Sequence, residues 1–176
     1  LKRVYRQQDA HFISILNEVR GGRPSQQVID ALNARYKPEF TPDPEDGYIR
    51  LTTHNSTANS YNEQQLELIE EPLHEFDAEI SGNFPEYSYP TEVRLELKKG
   101  AQVMFVKNDP SSEKRYYNGK IGHVVEIVDE VILVQCPGDD EPVAVEQLEW
   151  ENSRYVINEQ TQEMETEVQG VFRQYP

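Results

Sequence analysis

Two strand-like apolar runs, residues 101–106 and 123–128, flank a polar loop in the stretch GAQVMFVKNDPSSEKRYYNGKIGHVV, residues 100–125. Their Val, Met and Phe density favours extended backbone. Asn118-Gly119 and Gly122 supply the positive φ angles that a tight reversal needs. The stretch therefore predicts a β-hairpin, and what surrounds it fits one. Short strands at 93–97, 101–106, 121–128, 131–136 and 143–148, with Pro137-Gly138-Asp139-Asp140 as a further turn, predict a small β-barrel over residues 92–150.

Charge sets this region apart. Residues 94–125 carry seven Lys or Arg against three acids, whereas residues 63–93 carry nine acids and no base, and residues 126–170 carry thirteen acids against Arg154 alone. A net charge of −15 argues against nucleic acid, whose affinity comes mostly from phosphate neutralisation, so only the local island can carry such a role. Lys107, Arg115 and Lys120 bracket the hairpin and are the candidate phosphate contacts. Tyr116, Tyr117 and Asn118 lie at its tip. The two tyrosines either stack on bases, as aromatics among basic residues do in single-strand platforms, or pack at a barrel rim.

Before this region the chain reads as helices and a strand. Phe12, Ile13, Leu16 and Val19 share one helical face behind Asp9 as a cap, with Gly21-Gly22 as the stop. Val28, Ile29 and Leu32 mark a second helix from Ser25 to about Tyr36, and the proline-rich KPEFTPDPEDG breaks it. YIRLTT, residues 48–53, predicts a strand. His54-Asn55-Ser56 then offers caps for a helix through Ala58, Tyr61, Leu66, Ile69 and Leu73. A strand-turn-helix aims backbone amides at an anion such as phosphate, so His54 and Asn55 either cap or bind. Residues 74–81 alternate Phe76, Ala78 and Ile80 against charges, and residues 165–175 alternate likewise; the two strands should pair antiparallel.

Composition closes off other classes. At 176 residues with 36% hydrophobic content the chain suffices for modest cores. It contains no apolar run of membrane-spanning length and no apolar signal core at its start, so the expectation is a cytoplasmic, membrane-free protein. Cys136, the single cysteine, reads as a buried thiol within VILVQC. His11, His54, His74 and His123 lack ligand spacing, so no metal is expected. Phosphate-loop, dinucleotide-turn and zinc-helix motifs are absent. Because the chain starts at Leu1 and stops at Tyr175-Pro176 directly after a strand-like run, a segment of something longer is expected.

Four blocks in order carry a resemblance: VYRQQDAHFISILNEVR, YIRLTTHNSTANSYNEQQL, GAQVMFVKND with YYNGKIGHV, and EVQGVFRQYP. Together they resemble landmarks of the RecD-like, PIF-type superfamily 1B ATP-dependent DNA helicases. The resemblance implies an α+β chain: a partial α/β RecA-like layer with an inserted SH3-like β-barrel. Residues 1–91 would begin the second motor domain, 92–150 form the insertion, and 151–176 return to the motor. It implies that Arg6 approaches the γ-phosphate of ATP, a task suited to a planar charge, where the alternative is an ion pair with a surface acid. It also implies that Thr53, His54 and Asn55 hold the backbone of single-stranded DNA. ATP with Mg would serve the full-length parent, a 5′-to-3′ helicase, while this segment, without Walker A and B motifs, would hold no cofactor and hydrolyse nothing. The competing reading is a stand-alone SH3-like protein-interaction module with acidic flanks.

Overall fold

The computed structural model describes residues 8–42, 48–157 and 163–176. The chain divides into two compact units, Leu1–Asp43 and Pro44–Pro176.

In the first unit, α1 (Ala10–Arg20) and α2 (Gln26–Asn33) form where the apolar spacing and caps predict them. The Asp9 carboxylate accepts the amides of His11 and Phe12 at 2.9 and 3.1 Å. The Ser25 hydroxyl accepts Val28 N–H, and the Ser25 amide donates to Glu18 at 3.0 Å, tying the second helix to the first. Only Ile15 and Val28 are buried on these helices.

Among its described residues the second unit holds α3 (Asn55–Glu67) and nine strands: β1 (His74–Asp77), β2 (Glu79–Gly82), β3 (Arg94–Leu97), β4 (Gln102–Met104), β5 (Ile121–Val128), β6 (Val131–Gln135), β7 (Val143–Val145), β8 (Leu148–Ile157) and β9 (Met164–Gln174). They make three antiparallel sheets, ordered β1-β3, β2-β9-β8 and β4-β5-β6-β7. The hairpin predicted around Asn118-Gly119 is β4-β5, in register Gln102↔His123. Its ladder continues beyond the strands through Phe105 N–H to Lys120 O and Gly119 N–H to Phe105 O.

Several expectations change. The run 74–81 is not one strand. Ala78 donates its amide to Val93 at 2.7 Å, and the chain swerves there, so β1 pairs with β3 while β2 pairs with β9. The predicted pairing to the terminal strand thus holds for the second half, through Glu79↔Arg173 and Ile80↔Phe172. β3 pairs with β1 and with no strand of the β4-β5-β6-β7 sheet, so the five expected barrel strands do not form one hydrogen-bonded sheet. β8 spans residue 150, the expected end of the insertion. Residues 48–53 form no strand. An extended run becomes one only when another strand takes up its backbone groups, and among the described residues none pairs with it.

The main core gathers Leu97, Ala101, Phe105, Tyr116, Val124, Ile132, Val134, Cys136, Val143, Val145 and Tyr175. Burial pushes the Cys136 thiol up, which suits the inert role read from its setting. Leu66 and Ile69, at the C-terminal end of α3 and just beyond it, pack against this core, and Lys98 Nζ donates to Ile69 O at 2.7 Å. Gln174, fully buried, donates to Phe76 O and Val93 O and so sews the end of β9 to β1 and β3. A second, aromatic cluster surrounds Phe172.

Candidate nucleic-acid interface

The turn before α3 is open to solvent. Thr53, His54 and Asn55 are all exposed, and His54 is the N-cap in extended conformation. Its imidazole does not cap the helix: Nδ1 shares a 2.9 Å hydrogen bond with the Thr53 hydroxyl, and the Thr52 hydroxyl donates to His54 O. Thr57 and Ala58 donate to that same carbonyl, and the His54 side chain caps none of the first helical amides, which leaves those of Asn55 and Ser56 facing the open turn. Such amides favour an anion. Upstream, the Arg50 guanidinium sits 4.2 Å over the Tyr61 ring and pins the extended segment to the helix it precedes. α3 is therefore anchored at its C-terminal end on the core and presents its N-terminal end to solvent.

The hairpin loop is organised differently from its charge count. Lys107 Nζ donates to Glu149 O and lies 4.6 Å over the Trp150 ring. Lys114 Nζ donates to Asp109 O, and Arg115 to Glu141 O at 3.0 Å. Lys120 Nζ bonds Arg115 O at 2.7 Å and the Asp139 carboxylate at 2.6 Å, with its side chain only 14% exposed. Arg115 also lines a pocket with Glu113, Asp139, Asp140 and Glu141. Lys107 and Arg115 are thus folded onto backbone carbonyls and Lys120 onto the Asp139 carboxylate, which ties the loop to β8 and to the 138–141 turn. Replacing Lys107, Arg115 and Lys120 together with alanine is accordingly expected to lower the melting temperature. It should leave the slope of log affinity against log salt unchanged in a titration with labelled oligo-dT. Flattening by about 0.7 per residue would instead identify them as phosphate contacts.

The two tyrosines part company. Tyr116 is 7% exposed and stacks on Phe105 at 4.3 Å, so it builds the core and offers no stacking platform. Tyr117 is 60% exposed, and Asn118 beside it is exposed as well. Sequence reasoning passed over the pair that shapes this loop, Asn108-Asp109, although Asn-Asp-Pro after a strand is a turn signal. The Asp109 carboxylate, 6% exposed, accepts Ser111 and Arg115 amides, each at 2.8 Å. Burial alone would raise its pKa. The hydroxyl and amide of Ser111, the Arg115 amide and the Lys114 charge outweigh burial and hold it below the usual carboxylate range.

Arg6 lies outside the described residues. Among the described residues, no group of three or more His, Cys, Asp and Glu side chains is placed to hold a metal, and no helix is long and apolar enough to cross a membrane.

No protein-family model matches the chain. Among curated proteins, it is 38% identical over 133 residues to the ATP-dependent DNA helicase PIF1 of Homo sapiens, covering 71% of this chain and 20% of that protein. It is 32% identical over 132 residues to the ATP-dependent DNA helicase Pif1 of Bdellovibrio bacteriovorus, covering 72% of this chain and 29% of that protein. The chain thus spans less than a third of the length of these relatives. Its fold matches the crystal structure of Bacteroides sp. Pif1 in complex with ADP-AlF4 with a TM-score of 0.86 at 30% identity, over 99% of this chain and 39% of that one. Against Bacteroides Pif1 bound to single-stranded DNA the TM-score is 0.67 over the same share of each chain.

Proposed function

Because this chain belongs to the PIF-type DNA helicases and matches part of their length, we propose that it contributes DNA contacts to an ATP-dependent helicase translocating 5′ to 3′ on single-stranded DNA. In this reading residues 1–91 begin the second RecA-like motor domain, residues 92–150 are its SH3-like insertion, and residues 151–176 return to the motor. The observation that carries it is the exposed Thr53-His54-Asn55 turn at the start of α3, a helix whose other end rests on the core. Amides there meet a phosphate without rearrangement, and the fixed helix holds the strand in register with the motor.

Tyr117 and Asn118 form the second contact, with Tyr117 supplying a base-stacking face. ATP with Mg would bind in the parent, and Arg6 would meet the charge that builds on the γ-phosphate during transfer. Lys107, Arg115 and Lys120 support this surface from beneath and are not part of it.

The test is made in the intact helicase. Asn55→Ala and Tyr117→Ala are each expected to weaken oligo-dT binding about 5-fold to 100-fold, within the range of a lost stacking or charged hydrogen-bond contact. Arg6→Ala should leave that affinity near wild type and cut ATP turnover steeply. Wild-type DNA affinity in both contact variants would overturn the reading.

A further inference from the structure

Residues 107–120 form a long connection without helix or strand, and such a segment stays ordered only where side chains replace the missing ladder. Here two consecutive side chains do so. Asn108 Oδ1 accepts the amide of Asn118 at 2.8 Å. Asp109 accepts the amides of Ser111 and Arg115 through its two oxygens, while its own amide donates to Tyr116 O at 3.1 Å. The returning chain is thus gripped at Arg115, Tyr116 and Asn118, on both sides of Tyr117.

That grip fixes which tyrosine faces out. Tyr116 is held against Phe105 while Tyr117, gripped on both sides, remains open to solvent. The conformation is not a relaxed one, since Lys114 is held at φ 52°, a region non-glycine residues occupy only when their surroundings require it. Asp109 and Gln174 are the buried polar or charged side chains among the described residues. Asp109 makes no ion pair with an Arg or Lys side chain there; its oxygens serve backbone amides.

We propose that Asn108 and Asp109 are positioning residues that pre-set Tyr117 as a stacking platform for a base of the single strand. The proposal rests on the reading of this loop as a DNA contact. A ring on a loosely held loop must be ordered at the moment of binding, and that cost is subtracted from the stacking free energy; a ring already fixed avoids it. Asp is needed at 109 because both oxygens accept. Asp109→Asn turns one acceptor into an NH2 group facing a backbone N–H.

The experiment is a double-mutant cycle in the intact helicase, read by anisotropy of labelled oligo-dT, with thermal melts alongside. Asp109→Asn is expected to weaken binding about fivefold when Tyr117 is present, the effect of one freed side chain, and to change it hardly at all in a Tyr117→Ala background. Asn108→Ala, at an exposed position that burdens the fold little, should show the same dependence on Tyr117 with a near-wild-type melt. Affinity that falls equally in both backgrounds would mean general loosening of the fold, and the proposal fails. If Tyr117→Ala weakens binding while both positioning variants bind as wild type, the positioning role alone falls. If Tyr117→Ala itself binds as wild type, the loop leaves the DNA path and the proposal falls with that part of the functional reading.

Discussion

Replacing Phe172 with alanine is expected to destabilise the second unit by about 3–5 kcal/mol, the range for deleting a fully buried aromatic side chain. The ring is 0% exposed on β9, the central strand of the sheet β2-β9-β8. Its neighbours are the rings of Tyr89 at 5.1 Å, Phe84 at 5.7 Å and Trp150 at 6.2 Å. Two of these contacts come from the 83–90 loop, and the third comes from β8. Collapse into the vacated space would require β2 or β8 to leave its hydrogen-bond register with β9, so the cavity persists. Against a typical total of about 5–15 kcal/mol, such a loss takes much of the stability. Urea unfolding followed by Trp150 fluorescence measures it directly. A fall below about 1 kcal/mol, the ordinary effect of a point substitution, would show that these rings touch without forming a core.

Valine at Gly170 is the second large effect, and its cause is overpacking. A Cβ on Gly170 would lie 2.5, 2.6 and 2.8 Å from the backbone carbon, oxygen and nitrogen of Asn83. Those atoms cannot swing aside as a side-chain tip can. Asn83 N–H donates to Gln169 O at 2.7 Å, and its carbonyl accepts the Asn152 side chain at 2.8 Å. The facing residue, Gly82, holds φ 65° and leaves only 2.4 Å between its own missing Cβ and Gln169 O. Two glycines opposite one another, Gly82↔Gly170, let β2 turn away from β9 at close range. Gly170→Val is expected to cost about 1–3 kcal/mol or more, with a Tm lowered by about 2–4 °C for each kcal/mol. An unchanged melting curve would show that the approach can open without penalty.

Local signals in the sequence were enough where both partners of an interaction are near in the chain. Asp9 and Ser25 cap α1 and α2 because the amides they accept are two or three residues away. Asn118-Gly119 turns the end of the 107–120 connection into β5 because it supplies its own backbone angles, with Gly119 at φ 95°. The alternation around Phe172 was also legible, and with it the pairing of residues 79–82 to the last strand. The four family blocks had the same character. They are contiguous strings, and the relatedness to PIF-type helicases, which sets aside a stand-alone interaction module, needed no coordinates to suspect.

What the sequence left open were choices decided by residues far away. Whether 48–53 is a strand depends on a neighbouring strand, and among the described residues none adjoins it. Whether β3 joins the β4-β7 sheet depended on which distant strand meets its edge, and the strand it pairs with is β1. The basic island shows the point most plainly, because its count of positive charges was correct and its use was not visible. Lys107 donates to the Glu149 carbonyl, Arg115 to the Glu141 carbonyl and Lys120 to the Asp139 carboxylate, across separations of 42, 26 and 19 residues. Tyr116 and Tyr117 are adjacent and identical in type, yet one is in the core and the other in solvent. Composition and spacing treat them alike; the packing of Tyr116 on Phe105 and the grip of Asn108 and Asp109 on the returning chain separate them. Sequence determined the local turns, caps and alternation, because their free energies are local. Tertiary structure decided which charges and rings remain for a ligand, because a side chain already satisfied within the fold has little left to offer outside it.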